Sequence, residues 1–251
     1  MTDLKSSFLM IFLSFFGLSL YAQGVTDEGD FFTEAEEKKI IERAQKSRDL
    51  SSVQTLVYTV NELGGRTVAE VALALANQYA PGIKGMNNGI LILISKKERR
   101  SRLAVGLGLE WTISDEESQR VIDKMITYFK KGEFSAGVIN AIGVMESKVG
   151  SLDWKVYPLE GKPKKKDNGK IFKIPGPIGF VKEGYQVPDR AGNQFSEDYQ
   201  LPIVVNKKAY NLHYSKYMND LVLDLQKADL KMIYVCLVGF KEKKLQLLGV
   251  E

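Results

Sequence analysis

The chain has 251 residues, of which 44% are hydrophobic and 26% charged, and its formal net charge is +4. These proportions are typical of a globular protein and exclude a disordered, a collagen-like or a multi-span membrane class. Cys236 is the only cysteine and His213 the only histidine. An internal disulfide framework, a cysteine-based zinc site and any mechanism that needs two histidines are therefore excluded.

Residues 1–23 have the features of a secretory signal peptide. Lys5 gives a weakly basic start, an apolar run extends from Phe8 to Leu20, and Ala22 provides a small residue at the cleavage site. The run is shorter than the ~20 residues that a membrane-spanning helix needs. We therefore expect an exported protein, periplasmic or secreted, with no transmembrane segment after cleavage; the alternative is an uncleaved N-terminal anchor.

Residues 24–150 alternate helical and strand patterns. A capping box at Thr33–Glu36 predicts a helix to about Ser47, and a second box, Ser114–Glu117, opens another. Apolar residues at helical spacing or in β-branched runs place the other elements. Helices are predicted over 34–47, 67–79, 115–131 and 134–148, and strands over 53–60, 90–94 and 101–105. This αβαββαα order predicts an α/β fold, a three-layer α/β/α sandwich with a mixed sheet.

Two loops at one end of the predicted β-hairpin carry polar residues that suggest a binding site. Asn87-Asn88-Gly89 leads into the first strand, and Gly106-Leu107-Gly108-Leu109-Glu110 leaves the second. In an antiparallel hairpin these two ends lie side by side, and Asp115 is expected just beyond them. The candidate cation ligands are therefore Asn88, Glu110 and Asp115, beside a binding loop of Asn87, Gly89, Gly106 and Gly108.

The oxygen atoms of these side chains suit a hard cation such as Ca²⁺ or Mg²⁺. The glycine loop and the helix N-terminus would instead suit a phosphate, and a bound divalent cation would allow both. Each feature also has a purely structural interpretation, since Asn-Gly is a common turn, glycines permit positive φ, and Asp115 stabilises a helix dipole. Arg99 is expected in the turn at the far end of the hairpin, away from this site.

Residues 25–150 resemble the TPM domain family in the order and spacing of five segments. The segments are Val25-Thr26-Asp27 with Phe32-Thr33, the apolar strand Asn88–Ile94 followed by Arg99, the loop Gly106–Glu110, the helix-opening Asp115, and the stretch Tyr128–Gly137. The resemblance implies an exported, Rossmann-like α/β domain of bacterial envelope proteins, with a thylakoid-lumen relative linked to photosystem repair. It also implies divalent cation binding and, in some members, acid phosphatase activity, while other members are accessory proteins.

The chain departs from the family pattern at two positions of the proposed site. The family's usual aspartate before the first strand is Asn88 here, which removes one carboxylate and is expected to weaken cation binding. The residue after the glycine loop, usually glycine, is Trp111, which either closes the pocket or packs against the following helix. Glu110 and Asp115 are retained, so a site with two carboxylates stays possible.

Residues 151–251 resemble no family that the sequence identifies. A linker is expected over 151–169, in which Trp154 to Tyr157 is either strand or linker, and a smaller α+β region is expected over 170–251. Within that region the predicted strands are 171–174, 178–181, 203–205, 232–238 and 243–248, the last ended by Gly249, and 212–227 is predicted to be helical. His213 is expected to be exposed or to cap this helix, and Cys236 to be a buried, inert thiol.

Three functions from different classes follow from these residues. The first is an accessory or adaptor module of the cell envelope that binds a divalent cation, and that contacts an unknown envelope protein through its C-terminal region. The second is a metal-assisted acid phosphatase acting on phosphomonoesters, in which Asn88 orients the phosphate. The third is a structural protein whose loops bind nothing. A nucleic-acid partner is not expected, because the lysine run at 162–166 is typical of a solvated loop in an exported protein.

Overall fold

The computed structural model of the protein describes residues 24–150, 152–159, 163–176, 179–180, 198–205, 208–215, 232–239 and 244–251, with the single residues 218, 222, 225 and 229. The predicted signal peptide, residues 1–23, lies outside the described residues. The described residues form an N-terminal unit, residues 24–150, and a C-terminal unit that begins at residue 152.

The N-terminal unit is built on a four-stranded mixed sheet. Its strands lie in the order β1-β2-β3-β4, where the first three are parallel and β4 is antiparallel to β3. The strands are β1 (Val25–Asp27), β2 (Gln54–Val60), β3 (Gly89–Ser95) and β4 (Arg100–Val105), and the helices are α1 (Glu34–Ser51), α2 (Val68–Tyr79), α3 (Asp115–Phe129) and α4 (Phe134–Val149).

The helices cover both faces of this sheet, which confirms the predicted three-layer sandwich. On one face Ile40 of α1, Met125 of α3 and Ile142 of α4 share a core with Ile90 and Ile92 of β3. On the other face, α2 is the one described helix that packs against the sheet, through a smaller core that includes Val71, Ala72, Leu91 and Leu93. Because β3 is buried on both faces, its sequence is continuously apolar rather than alternating.

The helix starts follow the predicted capping chemistry, with one difference. The Thr33 hydroxyl accepts a hydrogen bond from the Glu36 N–H, and the Glu36 carboxylate accepts one from the Thr33 N–H. The capping box is therefore complete. Ser114 accepts from the Glu117 N–H at 3.2 Å, but the Glu117 carboxylate pairs with Arg120 and Lys148 instead. The second predicted box is therefore only half formed, because two cations compete for its glutamate.

The C-terminal unit contains a seven-stranded mixed sheet in the order β5-β6-β10-β11-β9-β8-β7. Its elements are β5 (Asp153–Pro158), a 3₁₀ turn (Lys165–Asp167), β6 (Lys170–Pro175), β7 (Gly179–Phe180), β8 (Asp198–Val205), β9 (Lys208–Ser215), β10 (Met232–Gly239) and β11 (Lys244–Val250). The predicted strands at 171–174, 203–205, 232–238 and 243–248 fall within β6, β8, β10 and β11, and 178–181 overlaps β7.

Four details of the C-terminal prediction need correction. The expected linker over 151–169 contains strand β5, which pairs with β6, so the sheet already begins there. The helix predicted over 212–227 is wrong at its start, because residues 212–215 belong to β9; most of its remainder lies outside the described residues. His213 is consequently buried on a strand rather than exposed or capping. Gly249 lies inside β11 instead of ending it.

Alternation along the central strands gives the C-terminal sheet two apolar faces. In β10, Ile233, Val235 and Leu237 enter a second core, which also contains the buried residues Met218, Val222 and Leu225. Cys236, between them, belongs to the core of the N-terminal unit, together with Ile171 and Leu248. The sheet therefore lies between its own core and the N-terminal unit, and the two units share one hydrophobic interior.

Within the described ranges, no helix is both long enough and apolar enough to cross a membrane.

The Cys236 thiol provides a test of the shared interior. It is fully buried, and burial raises its pKa to about 12, so the reactive thiolate is scarce in the folded protein. A disulfide reagent at about pH 8 should label native Cys236 at least 100-fold more slowly than urea-unfolded protein. The measurement is the rate of thiol release, with a Cys236→Ala/Ser147→Cys variant as a control whose thiol is exposed. Native labelling as fast as that control would contradict the buried position.

Candidate functional site

The two polar loops predicted to face each other are in direct backbone contact. The Gly106 N–H donates to the Gly89 carbonyl oxygen at 2.8 Å, and the Gly108 N–H donates to the Asn87 carbonyl oxygen at 3.0 Å. The antiparallel register of β3 and β4, with Ile90 opposite Val105, produces this juxtaposition. The predicted meeting of the loops is therefore confirmed.

Glycine is required in these loops because two backbones touch. A β-carbon on Gly108 would lie 1.9 Å from the Met86 carbonyl oxygen, and one on Gly106 would lie 2.1 Å from that of Asn87. Both distances are far below van der Waals contact. The Gly106 and Gly108 N–H groups already donate hydrogen bonds to carbonyl oxygens of the facing loop. These two amides are therefore not available to bind a phosphate.

Asn88 occupies a different environment from the other predicted ligands. Its side chain is fully buried: Oδ1 accepts from the Ile83 N–H at 2.6 Å, and Nδ2 donates to the Ser52 carbonyl oxygen at 2.9 Å. These bonds join the loop before β3 to the C-terminal end of α1. Asn88 does not line the groove beside the loops. Its role as a cation ligand stays a prediction, and its amide has a structural role.

An open groove of about 1040 Å³ brings together the remaining predicted residues except Gly108, which does not line it. It runs along β4, between one side of α2 and the first turn of α3. Polar and charged side chains converge at the end where the loops meet. Those lining the groove are Asn77, Lys84, Asn87, Arg102, Glu110, Ser114, Asp115 and Glu116, while Gly89 and Gly106 contribute backbone.

The electrostatics of the groove are mixed rather than uniformly acidic. The Arg102 guanidinium lies 3.8 Å from the Asp115 carboxylate, and both side chains are exposed, by 42% and 66%. Lys84 pairs with Glu251 at 3.1 Å, and Glu116 pairs with Arg120 on the same helix. Over the described residues, no group of three or more histidine, cysteine, aspartate or glutamate side chains is placed to hold a metal ion.

Arg102 is a site residue that the sequence reasoning missed. It lies on β4 opposite Leu93, and its neighbours Leu103 and Val105 face the other side of the sheet. Strand alternation places Arg102 on the α2 side, next to Ala104, and this signal could have found it. Arg99, by contrast, lies in the turn between β3 and β4, as predicted, and does not line the groove.

Trp111 combines the two roles that the sequence left open. Its ring packs against the core of the N-terminal unit, and its indole N–H donates to the Gly108 carbonyl oxygen at 3.0 Å. It also forms part of the groove wall. The indole therefore holds the glycine loop in place while it closes one side of the groove.

The C-terminal unit supports these loops from behind, which the sequence did not indicate. A β-carbon on Gly249 would lie 2.1 Å from the Gly85 carbonyl oxygen, so β11 and the loop before β3 are in backbone contact. Leu107 packs against the second core from the tip of the glycine loop. Tyr234 of β10 donates to the Glu251 carboxylate at 3.0 Å, and burial, followed by this bond, raises the pKa of the tyrosine.

Comparisons with solved structures identify similar chains, among them two N-terminal domains. The chain is 29% identical to the N-terminal domain of a protein from P. gingivalis (TM-score 0.47), over 52% of this chain and 84% of that chain. It is 21% identical to the BA42 protein of the psychrophilic bacterium Bizionia argentinensis (TM-score 0.45), over 50% and 87%. It is 11% identical to the N-terminal domain of the cg2496 protein of Corynebacterium glutamicum (TM-score 0.44), over 57% and 92%.

None of the curated proteins compared with this chain matches it. The family model described as the TPM domain matches residues 25–148, which are the α/β sandwich with its groove. Three of the resembling segments lie where strands or helices begin or end: Asp27 ends β1, the glycine loop follows β4, and Asp115 begins α3. Residues 25–148 of this chain are therefore a TPM domain.

Proposed function

We propose that this protein is an exported accessory module of the cell envelope, in which the TPM domain binds a divalent cation, Ca²⁺ or Mg²⁺, weakly. The observation that carries the proposal is the presence of Glu110 and Asp115 in one groove, beside the exposed Asn87. Export rests on the signal-like sequence of residues 1–23. The C-terminal sheet, which shares its interior with the TPM domain, is the part proposed to contact an envelope partner.

The residues present fit a cation site of low affinity. Two carboxylates and one amide supply oxygen ligands of the kind that Ca²⁺ and Mg²⁺ take, and water would complete the coordination. Arg102 opposes binding, because its positive charge lies 3.8 Å from Asp115. We therefore expect a dissociation constant on the order of 10⁻³ M, which is the weak end of the range for extracellular calcium modules.

A calorimetric titration of residues 24–251 with Ca²⁺ and Mg²⁺ tests the cation site. Glu110→Gln/Asp115→Asn should abolish saturable binding, because it removes both carboxylates proposed as ligands. Glu116→Gln is the matched control: it removes one negative charge from the same groove, and binding should persist. Arg102→Gln should tighten binding about threefold or more, since it removes the nearby cation. Absence of binding at about 10 mM metal, or equal loss in the control, would refute the site.

The position of Asn88 gives a second prediction about this site. Asn88→Asp restores the carboxylate that the family pattern has, but an aspartate cannot donate to the Ser52 carbonyl oxygen. A buried carboxylate facing a carbonyl oxygen should cost about 1–3 kcal/mol of unfolding free energy. Because Asn88 does not line the groove, cation affinity should not rise. Urea denaturation and the same calorimetric titration measure the two effects, and a clear gain in affinity would place residue 88 within the site.

A metal-assisted phosphatase is the second candidate function, and Arg102 is the observation that favours it. A guanidinium beside two carboxylates suits a phosphomonoester, because arginine binds phosphate oxygens through two parallel N–H groups. In that case Glu110 and Asp115 would hold the cation, which would neutralise charge on the phosphate. Arg102 would orient the phosphate from the α2 side of the groove.

Hydrolysis of p-nitrophenyl phosphate with and without Mg²⁺ distinguishes the two functions. A phosphatase predicts metal-dependent turnover that falls at least tenfold in Arg102→Lys, which keeps the charge but loses the paired N–H donors. Arg99→Lys, outside the groove, is the control and should retain full activity. Cation binding without turnover supports the accessory module, which is the outcome that we expect.

A further inference from the structure

Among the strands that the structure describes, none pairs with the outer edge of β4, and this edge is unusually regular. β4 is the last strand of its sheet, and its pairing with β3 runs from Arg100 to Val105 without a register shift. The pairings of β10 with β11 and of β5 with β6, in contrast, carry irregularities. Natural proteins usually protect an edge with a bulge, a proline or a covering element, since exposed edges pair readily with other strands.

The ladder register shows which backbone groups face outward from β4. Gly89 and Gly106 form a hydrogen-bonded pair, because the Gly106 N–H donates to the Gly89 carbonyl oxygen. Such pairs alternate along an antiparallel ladder, so Ala104 and Arg102 also bond to β3. The N–H and C=O groups of Ser101, Leu103 and Val105 therefore point away from β3, toward the groove.

The groove along this edge has the shape that an added strand requires. One wall is formed by small or apolar residues of α2 and of its C-cap: Ala69, Leu73, Ala76 and Ala80. The opposite wall is the beginning of α3. Leu73 is 60% exposed, and Ile83, at the end of the groove, is 41% exposed. Large exposed apolar side chains beside an open strand edge are features of a docking surface.

Charge is distributed along β4 in a self-complementary way. Exposed arginines, Arg99 and Arg100, lie where β4 begins, while Glu110 and Glu116 line the groove where β4 ends. When two such edges pair antiparallel about a twofold axis near Leu103, the basic end of each copy meets the acidic end of the other. Isologous pairing of this kind places the same patch on both sides of the interface.

The helices beside the edge tolerate the same arrangement. α2 contacts both β3 and β4, so its axis lies between them. At the usual strand spacing of about 4.8 Å, the α2 helices of two paired copies would lie about 10 Å apart, an ordinary interhelical distance. Leu73 is at the middle of α2, as Leu103 is near the middle of β4, so the exposed leucines of the two copies would meet.

We propose that two copies of this chain associate through β4, which joins their four-stranded sheets into one continuous antiparallel interface. Among the possible occupants of the groove, a second copy matches both the charge order and the position of Leu73. The Arg102–Asp115 pair crosses the free edge, because Arg102 is on the α2 face and Asp115 begins α3 on the other. That contact is long and exposed, and it opens when the second strand arrives.

Sedimentation equilibrium of residues 24–251 between about 1 and 100 µM tests the proposal. We expect a reversible dimer that Ser101→Pro weakens at least tenfold, since proline removes an outward N–H and places its ring in the path of the second strand. Ser101→Thr keeps the N–H and should dimerise like the unmodified chain. The Ser101 N–H does not bond to β3, so the proline variant should remain folded. Circular dichroism is the measurement that checks this.

A charge-exchange experiment tests the same interface without touching the backbone. Arg99→Glu/Arg100→Glu makes both ends of the edge acidic, and Glu110→Lys/Glu116→Lys makes both ends basic, so each variant alone should be monomeric. An equimolar mixture should form a heterodimer, because unlike charges then meet at both ends. A monomer at about 100 µM for the unmodified chain would overturn the proposal. So would a dimer that Ser101→Pro leaves intact, or a mixture that does not associate.

Discussion

The backbone contact between the two glycine-containing loops is the constraint on which the rest of this structure depends. Gly106 and Gly108 allow the chain after β4 to lie against Asn87 and Met86 with no side chain between them. The contact sets where the hairpin ends, where α3 begins and which side chains enter the groove. A side chain at either glycine would push the two loops apart and, with them, the two groove carboxylates.

The same contact joins the TPM domain to the C-terminal sheet. Leu107 of the glycine loop packs against the core of the C-terminal unit, while Leu248 and Cys236 belong to the core of the TPM domain. Side chains are thus exchanged in both directions across the boundary between the units. The groove is therefore supported on one side by its own domain and on the other by a sheet that lies outside the family match.

Most of the TPM domain was predictable, because its local signals agree with its packing. The continuous apolar run at 90–94 indicates a strand buried on both faces, and the Thr33 cap marks a helix start that the structure has. The meeting of the two strand ends followed from the antiparallel direction of the hairpin. Prediction failed where one sequence pattern suits two structures, as at Leu212 to Ser215, where apolar and polar residues alternate in a strand that was interpreted as a helix.

The candidate site was predictable as a meeting of loops but not in its electrostatics. Glu110 and Asp115 could be placed from their positions after β4 and at the start of α3. The burial of Asn88 could not be predicted, because its partners are the Ile83 N–H and the Ser52 carbonyl oxygen. The positions of these backbone groups depend on tertiary packing. The contribution of Arg102 depends on which face of β4 carries it, and the support from β11 depends on contacts between residues more than a hundred positions apart.

The strand order of the C-terminal sheet has a consequence for the order of its assembly. β10 and β11 come after β5–β9 in the chain but lie between β6 and β9 in the sheet. The pair β5–β6 and the group β7–β9 are therefore joined only through β10 and β11, so the sheet is complete only when residues 232–250 take their places. Pairings between residues so far apart in the chain slow folding. Leu107 packs against the core that this sheet forms, so the glycine loop depends for that support on the last two strands of the chain.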